Sequence, residues 1–331
     1  MQLVFLNTME KQTEEGRVAR LQVSICERQG TWQVICEEGD NDTQSGIWFE
    51  GTSWEEMLCA FRHGVAIKMG EGYVPVIDGM LDDRSTRGAG GGLSFLHCYG
   101  ELNSHPELSE ALRDWRRAKA VEQKKAAYLV ATNRMLWMIS AFVPHQETEL
   151  RQIPGWGEAK NSDYSEEVLE ITRRFEQTTS FPLDWVNESL DPKTYTQWLY
   201  KQKENKFKGE MERQQEKRRI LGGVKEGHSL ADLQAALEMP KRDLLERIEQ
   251  LEREGYDLEA LIERELAEVP ETEQQKIWAA LDEIGDRYLK PVLSQVYNEE
   301  ELKSKQVDLL YDRLRLMRLR YRRAVHKPQA M

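Results

Sequence analysis

The stretch Ile153-Pro154-Gly155-Trp156-Gly157-Glu158-Ala159-Lys160 decides how the middle of this chain is read. Two helix-like segments precede it, and Tyr164, Val168 and Leu169 follow at helical spacing. A Pro-Gly-x-Gly turn that opens a helix leaves backbone N–H groups without partners at the helix start. Such a turn can hold a phosphate through main-chain amides and the positive end of the helix, with no catalytic side chain.

Upstream of the turn, Leu108, Leu112, Trp115 and Lys119 share one face of a first helix, with Arg113, Arg116 and Arg117 on neighbouring faces. Residues 122–131 read as its continuation, which carries Lys124 and Lys125 onto the same helix. Thr132-Asn133-Arg134 is a second start signal, ahead of Met135-Leu136-Trp137-Met138-Ile139. The segments Tyr128 to Leu136 and Leu150 to Lys160 resemble the inter-helix segment and the signature turn of the HRDC domain. That domain is a small helical module near the C-termini of RecQ-type helicases and RNase D. The resemblance implies that residues 93–178 form a helical nucleic-acid-binding bundle. Two positions depart from the family pattern: Ser165, where Gly commonly follows the Tyr, and Trp156, a bulky residue inside the turn. Either would alter how closely a phosphate backbone approaches.

Resemblance and charge together place nucleic-acid contacts at Arg113, Arg116, Arg117, Lys119, Lys124, Lys125, Gly155, Gly157 and Lys160. Arginine–phosphate bonds are charge-assisted and often bidentate, which suits this set to sequence-independent binding. The competing reading of the same cations is a solvated helix face.

The flanks read differently. In residues 1–80, Arg20 to Ile25 alternates in period two, Gln29-Gly30 supplies a turn, and Thr31 to Ile35 returns as a hairpin partner. Ile47-Trp48-Phe49 adds a strand, and Thr52 or Ser53 caps a helix from Trp54 to about His63. Trp32, Trp48, Phe49 and Tyr73 are either core residues or base-stacking platforms. Residues 81–92 are Gly-rich and read as a linker; no Lys follows the glycines, so they are not a nucleotide-binding loop. Residues 179–225 form a connector with a charged helix, Tyr200 to Arg219, either a solvated spacer or a phosphate-tracking face. From 226 to 325, Ser229 to Leu237, the Met239-Pro240 break and Lys241 to Glu254 make a helix-turn-helix pattern. With the later Leu289-Lys290-Pro291, this part resembles the C-terminal domain of some bacterial RecQ-type helicases.

Charge separates these parts. The chain carries −12 overall, yet 226–302 holds 21 acids against 8 bases, whereas 303–331 holds 9 bases against 2 acids. A recognition helix embedded in so acidic a segment would be repelled by duplex phosphates, which favours protein contact there. Arg313, Arg315, Arg318, Arg320, Arg322 and Arg323 either neutralise that acidity internally or grip phosphate. The 4 cysteines (Cys26, Cys36, Cys59, Cys98) contain no Cys-x-x-Cys pair, although Cys26 and Cys36 could face each other across the hairpin. The 6 histidines lack metal-ligand spacing. No apolar run reaches the roughly 18 residues that span a bilayer, and no secretion signal is evident, so a cytoplasmic location is expected.

The expected fold is therefore multi-domain and mainly α: a small β-rich (α+β) N-terminal unit, an HRDC-like bundle and a helix-turn-helix helical domain. The expected function is that of a non-enzymatic nucleic-acid-binding accessory protein without cofactor or metal, acting on DNA rather than RNA. It would work with a RecQ-type helicase or in repair and recombination, docking its partner through the acidic C-terminal domain, away from membranes. The alternative is a helix-turn-helix transcription regulator.

Overall fold

The computed structural model describes residues 1–13, 15–39, 45–81, 91–298, 302 and 307–326. The protein is multi-domain and mainly α, with one antiparallel sheet at its N-terminus. It divides into two compact units, Met1–Gly209 and Glu210–Met331.

In the first unit, strands β1 (Gln2–Gln12), β2 (Val18–Arg28), β3 (Thr31–Glu38), β4 (Ser45–Gly51) and β5 (Val74–Pro75) form a sheet in the order β4-β3-β2-β1-β5. Period-two burial puts Met9, Leu21, Val23, Ile25, Val34 and Cys36 on one face. Helix α1 (Trp54–Gly70) covers that face with Met57, Phe61, Val65 and Met69. Its N-cap is Ser53, whose hydroxyl accepts from the Glu56 amide at 3.3 Å. Strand β1 escapes a reading by apolar alternation because Asn7 stands at an inward position. Its buried amide pairs with the main chain of Ile77 in both directions, at 2.7 and 3.2 Å. Trp32, Trp48, Phe49 and Tyr73 pack against this core, so they are structural. Cys26 lies opposite Gln33 and Cys36 opposite Val23, so the two thiols do not face each other; all four cysteines are free and buried.

Most of the segment read as a linker, 82–90, lies outside the described residues. Its edges belong to packed structure: Leu81 is buried in the sheet core, and Gly91 and Gly92 open helix α2 (Gly91–Leu102). There follow α3 (Pro106–Glu122), α4 (Ala127–Val130), α5 (Asn133–Phe142), α6 (Glu147–Leu150), α7 (Glu158–Thr172) and α8 (Val186–Ser189). Leu108, Leu112, Leu136, Ile139, Phe142, Leu150, Ile153 and Val168 form their shared core. Helix α2 lies close on α5 because Gly100 has no side chain; a Cβ there would meet the Met138 backbone at 3.1 Å.

Helix α9 (Pro192–Lys225) is not a solvated spacer. Within the first unit, Trp198 donates to Glu101 of α2 at 2.9 Å, and Tyr200 and Phe207 pack into the sheet core. Its last turns supply Ile220 and Val224 to the core of the second unit. That unit holds α10 (Leu230–Leu237), α11 (Lys241–Arg253), α12 (Glu259–Leu266), α13 (Glu271–Ile284), α14 (Leu289–Val296) and α15 (Val307–His326). Ser229 and Asp232 make a capping box at α10, and Gly255 ends α11 at φ 91°. Among the described residues, no helix is long and apolar enough to cross a membrane.

Candidate nucleic-acid interface

Residues 153–160 fold as a tight turn into α7. Gly155 adopts φ 86°, a left-handed conformation that a β-carbon disfavours, and the Trp156 amide closes the turn on the Ile153 carbonyl at 2.9 Å. Trp156 does not crowd the outer face. Its ring is 2% exposed and packs inward near Trp115, leaving the indole Nε1 buried without a hydrogen-bond partner. Gly157 is the N-cap of α7 with extended backbone, and no side chain caps the amides of the first turn. The space where a Gly157 Cβ would stand is open. Ser165 is buried within α7, away from the turn in sequence by two helical turns.

Residues 105–172 match the HRDC domain. Relatives that share sequence with the chain include the ATP-dependent DNA helicases UvrD2 of Mycobacterium bovis and Mycobacterium tuberculosis, each 37% identical over 67 residues. That stretch is 20% of this chain and 10% of each helicase, so the chain spans about a tenth of the length of these relatives. No solved structure matches the chain. The family match stops at Thr172 and does not reach the helix-turn-helix pattern of 226–325.

Within the HRDC domain, the cations assigned from sequence fall into two groups. Arg113 pairs with Glu110 at 3.1 Å, and Arg117 pairs with Asp114 at 2.7 Å and Glu110 at 3.4 Å. Arg116 donates to the Ala131 carbonyl at 3.0 Å and to Asn133 Oδ1 at 2.8 Å, which ties α3 to the entry of α5. Burial, reinforced by the charges of Arg113 and Arg117, lowers its pKa from the usual guanidinium value. Lys119 bridges Glu122 at 2.8 Å and Glu167 at 2.6 Å, and these bonds raise its pKa. Lys160 donates to the carbonyls of Leu129 and Val130, at 2.8 and 2.6 Å, closing the end of α4. Arg116, Lys119 and Lys160 tie elements of the bundle together, whereas Arg113 and Arg117 pair with carboxylates of α3 itself.

Lys124 and Lys125 are the second group, and the structure moves them off the helix. Helix α3 stops at Glu122, and Lys124 adopts φ 50° in the turn to α4. Both are exposed and, among the described residues, pair with no carboxylate. The Lys125 charge contributes to the lowered pKa of Lys160, after burial of the latter, which sets this turn beside the first turn of α7. Tyr128, in α4 two residues before Val130, has 67% of its surface exposed, and Leu129 beside it is exposed as well. An aromatic ring next to two unpaired lysines was visible as a sequence neighbourhood. Reading 122–131 as a continuous helix missed the break at Lys124, which places the lysines in a turn and Tyr128 in a short helix of its own.

The would-be recognition helix α11 presents no comparable set. Lys241 pairs with Asp312 at 3.1 Å, Arg242 with Glu246 at 3.2 Å and Arg247 with Glu216 at 2.6 Å. The α15 arginines likewise turn inward: Arg313 to Glu273 at 2.8 Å, Arg318 to Glu249 at 2.7 Å, Arg323 to Asp257 at 2.7 Å, and Arg322 to Asp286. Of the two roles open to these residues, the structure places Arg313, Arg318, Arg322 and Arg323 in internal neutralisation, whereas Arg320 donates to neutral Gln274. Among the described residues, no group of three or more His, Cys, Asp or Glu is placed to hold a metal ion.

Proposed function

We propose that this chain is a non-enzymatic accessory protein that binds nucleic acid, DNA rather than RNA, through its HRDC domain. It works in the cytoplasm beside a RecQ-type helicase or another repair or recombination protein, which its acidic C-terminal unit contacts. One observation carries the binding half: Lys124, Lys125 and Tyr128 lie exposed beside the uncapped start of α7. A single strand needs cations for its phosphates and a ring face for its bases, and this edge supplies both together with free main-chain amides. Relatives that share the stretch are DNA helicases, which supports DNA as the ligand. The glycine-rich segment lacks the Lys and hydroxyl residue of a nucleotide-binding loop, so the motor belongs to a partner.

The test is fluorescence anisotropy of the full chain with a labelled DNA single strand, the matching RNA and a duplex, each at low and moderate salt. Expected is weak binding to the DNA single strand that falls steeply with salt. Indifference to all three ligands at low salt would end the reading. Nucleotide hydrolysis by the purified chain, with magnesium present, would end its non-enzymatic part.

A further inference from the structure

The second unit contains a cleft of about 440 Å³ between α12, α13 and α15. Ile262, Trp278 and Met317 line it with apolar surface, and Glu259, Glu263 and Glu271 contribute carboxylates. Its charges are unequally occupied. Arg323 binds Asp257 at 2.7 Å and lies 3.9 Å from Glu259, and Arg320 donates to neutral Gln274 at 2.9 Å. Among the described residues, Glu263 and Glu271 have no cationic partner, although α15 is rich in arginine.

We propose that this cleft docks a basic segment of a partner protein. An arginine or lysine of that segment enters over the Trp278 ring, lays its methylene stem on Ile262 and Met317, and sets its charge between Glu263 and Glu271. Charge complementarity selects this occupant: Glu263 and Glu271 are carboxylates of the cleft wall without a cationic partner among the described residues, so an anionic segment is disfavoured beside them. The inference rests on the reading of the acidic unit as the protein-contacting part, and it is independent of what the HRDC domain binds.

The experiment titrates the full chain into a fluorescein-labelled helical peptide of Arg, Leu and Ala, with Gln and Glu versions of the same peptide as controls. Expected is saturable 1:1 binding of the Arg peptide alone, weakened about fivefold by Glu263→Gln with Glu271→Gln. Gln275→Lys, which adds a cation to the cleft lining, should weaken it by a similar factor while removing no acid. Glu238→Gln with Asp243→Asn strips the same charge from exposed positions outside the cleft and should change binding less than about twofold. Equal losses in both double variants would overturn the cleft and leave the acidic unit as a diffuse contact surface. Failure of the Arg peptide to bind, or tighter binding of the Glu peptide, would overturn both.

Discussion

The Lys160 ammonium donates to the Val130 carbonyl at 2.6 Å, joining the first turn of α7 to the end of α4. A residue that sequence assigns to phosphate contact is thus spent on a helix C-terminus, where a cation also meets the negative end of the dipole. Lys160→Met should cost roughly 1–2 kcal/mol of stability, the usual consequence of leaving a carbonyl without its charged donor. Affinity per folded molecule for a single strand should stay within about twofold. Denaturant melts and anisotropy on the same preparation separate the two; a stable variant with lost affinity would return Lys160 to the interface.

Lys124 and Lys125 should behave in the opposite way. Replacing both by Gln should leave the melting curve unchanged and reduce the slope of log affinity against log salt by about 1.4, since each phosphate contact to a single strand contributes about 0.7. Arg117→Gln, which removes a cation already held by Asp114 and Glu110, should leave that slope where it was. A flattened slope in Arg117→Gln with none in the lysine variant would exchange the two groups.

Tyr128→Ala should weaken single-strand binding by about 1–3 kcal/mol, the range for one stacked base, and change stability by less than about 0.5 kcal/mol. Duplex binding should be less affected, because paired bases offer no free face. Equal losses on both ligands would remove stacking from the account.

Glu167 contributes to the acid sensitivity of the HRDC domain. Burial alone opposes its ionisation, but hydrogen bonds from Lys119 and Trp115 outweigh it and hold its pKa below the usual carboxylate value. Its stabilisation is therefore complete above the unfolded pKa, near about 4.3, and disappears as pH falls through the lower folded value. Lys119, raised by Glu122 and Glu167, keeps its contribution below the unfolded pKa and loses it only as pH rises through the folded one. Glu167→Gln should accordingly flatten the loss of melting temperature on the acid side and lower it at neutral pH. Identical pH profiles for both proteins would count against the network.

Arg318 and Glu249 meet at 2.7 Å with side chains only 12% and 13% exposed. Arg318→Met should destabilise the second unit by about 2–4 kcal/mol, because it strands a carboxylate in a poorly hydrated place. Adding Glu249→Gln should recover part of the loss, read as a double-mutant cycle by chemical denaturation.

The helical domain was legible where side-chain period and cap chemistry agree: Leu108, Leu112 and Trp115 on one face, Thr132 before α5, Gly155 in the turn. The α3–α4 break was not, since Lys124 enters a left-handed conformation with no Gly or Pro to announce it. Strand β1 was hidden by the inward Asn7. Helix α9 was misread because its core residues Phe207, Ile220 and Val224 are spread along 34 largely polar positions. The fate of the arginines lay beyond reach for another reason. Whether a cation is available depends on which carboxylate the fold brings to it, and Glu167 lies 48 residues from Lys119.

Helix α15 behaves as a built-in counterion for the unit it closes. Without it, the second unit would carry a large excess of negative charge, and its helices would repel one another at neutral pH. A polyamine or a divalent salt could then substitute for six missing guanidinium groups and restore compactness, which makes the unit's cohesion as much a matter of ionic environment as of apolar packing.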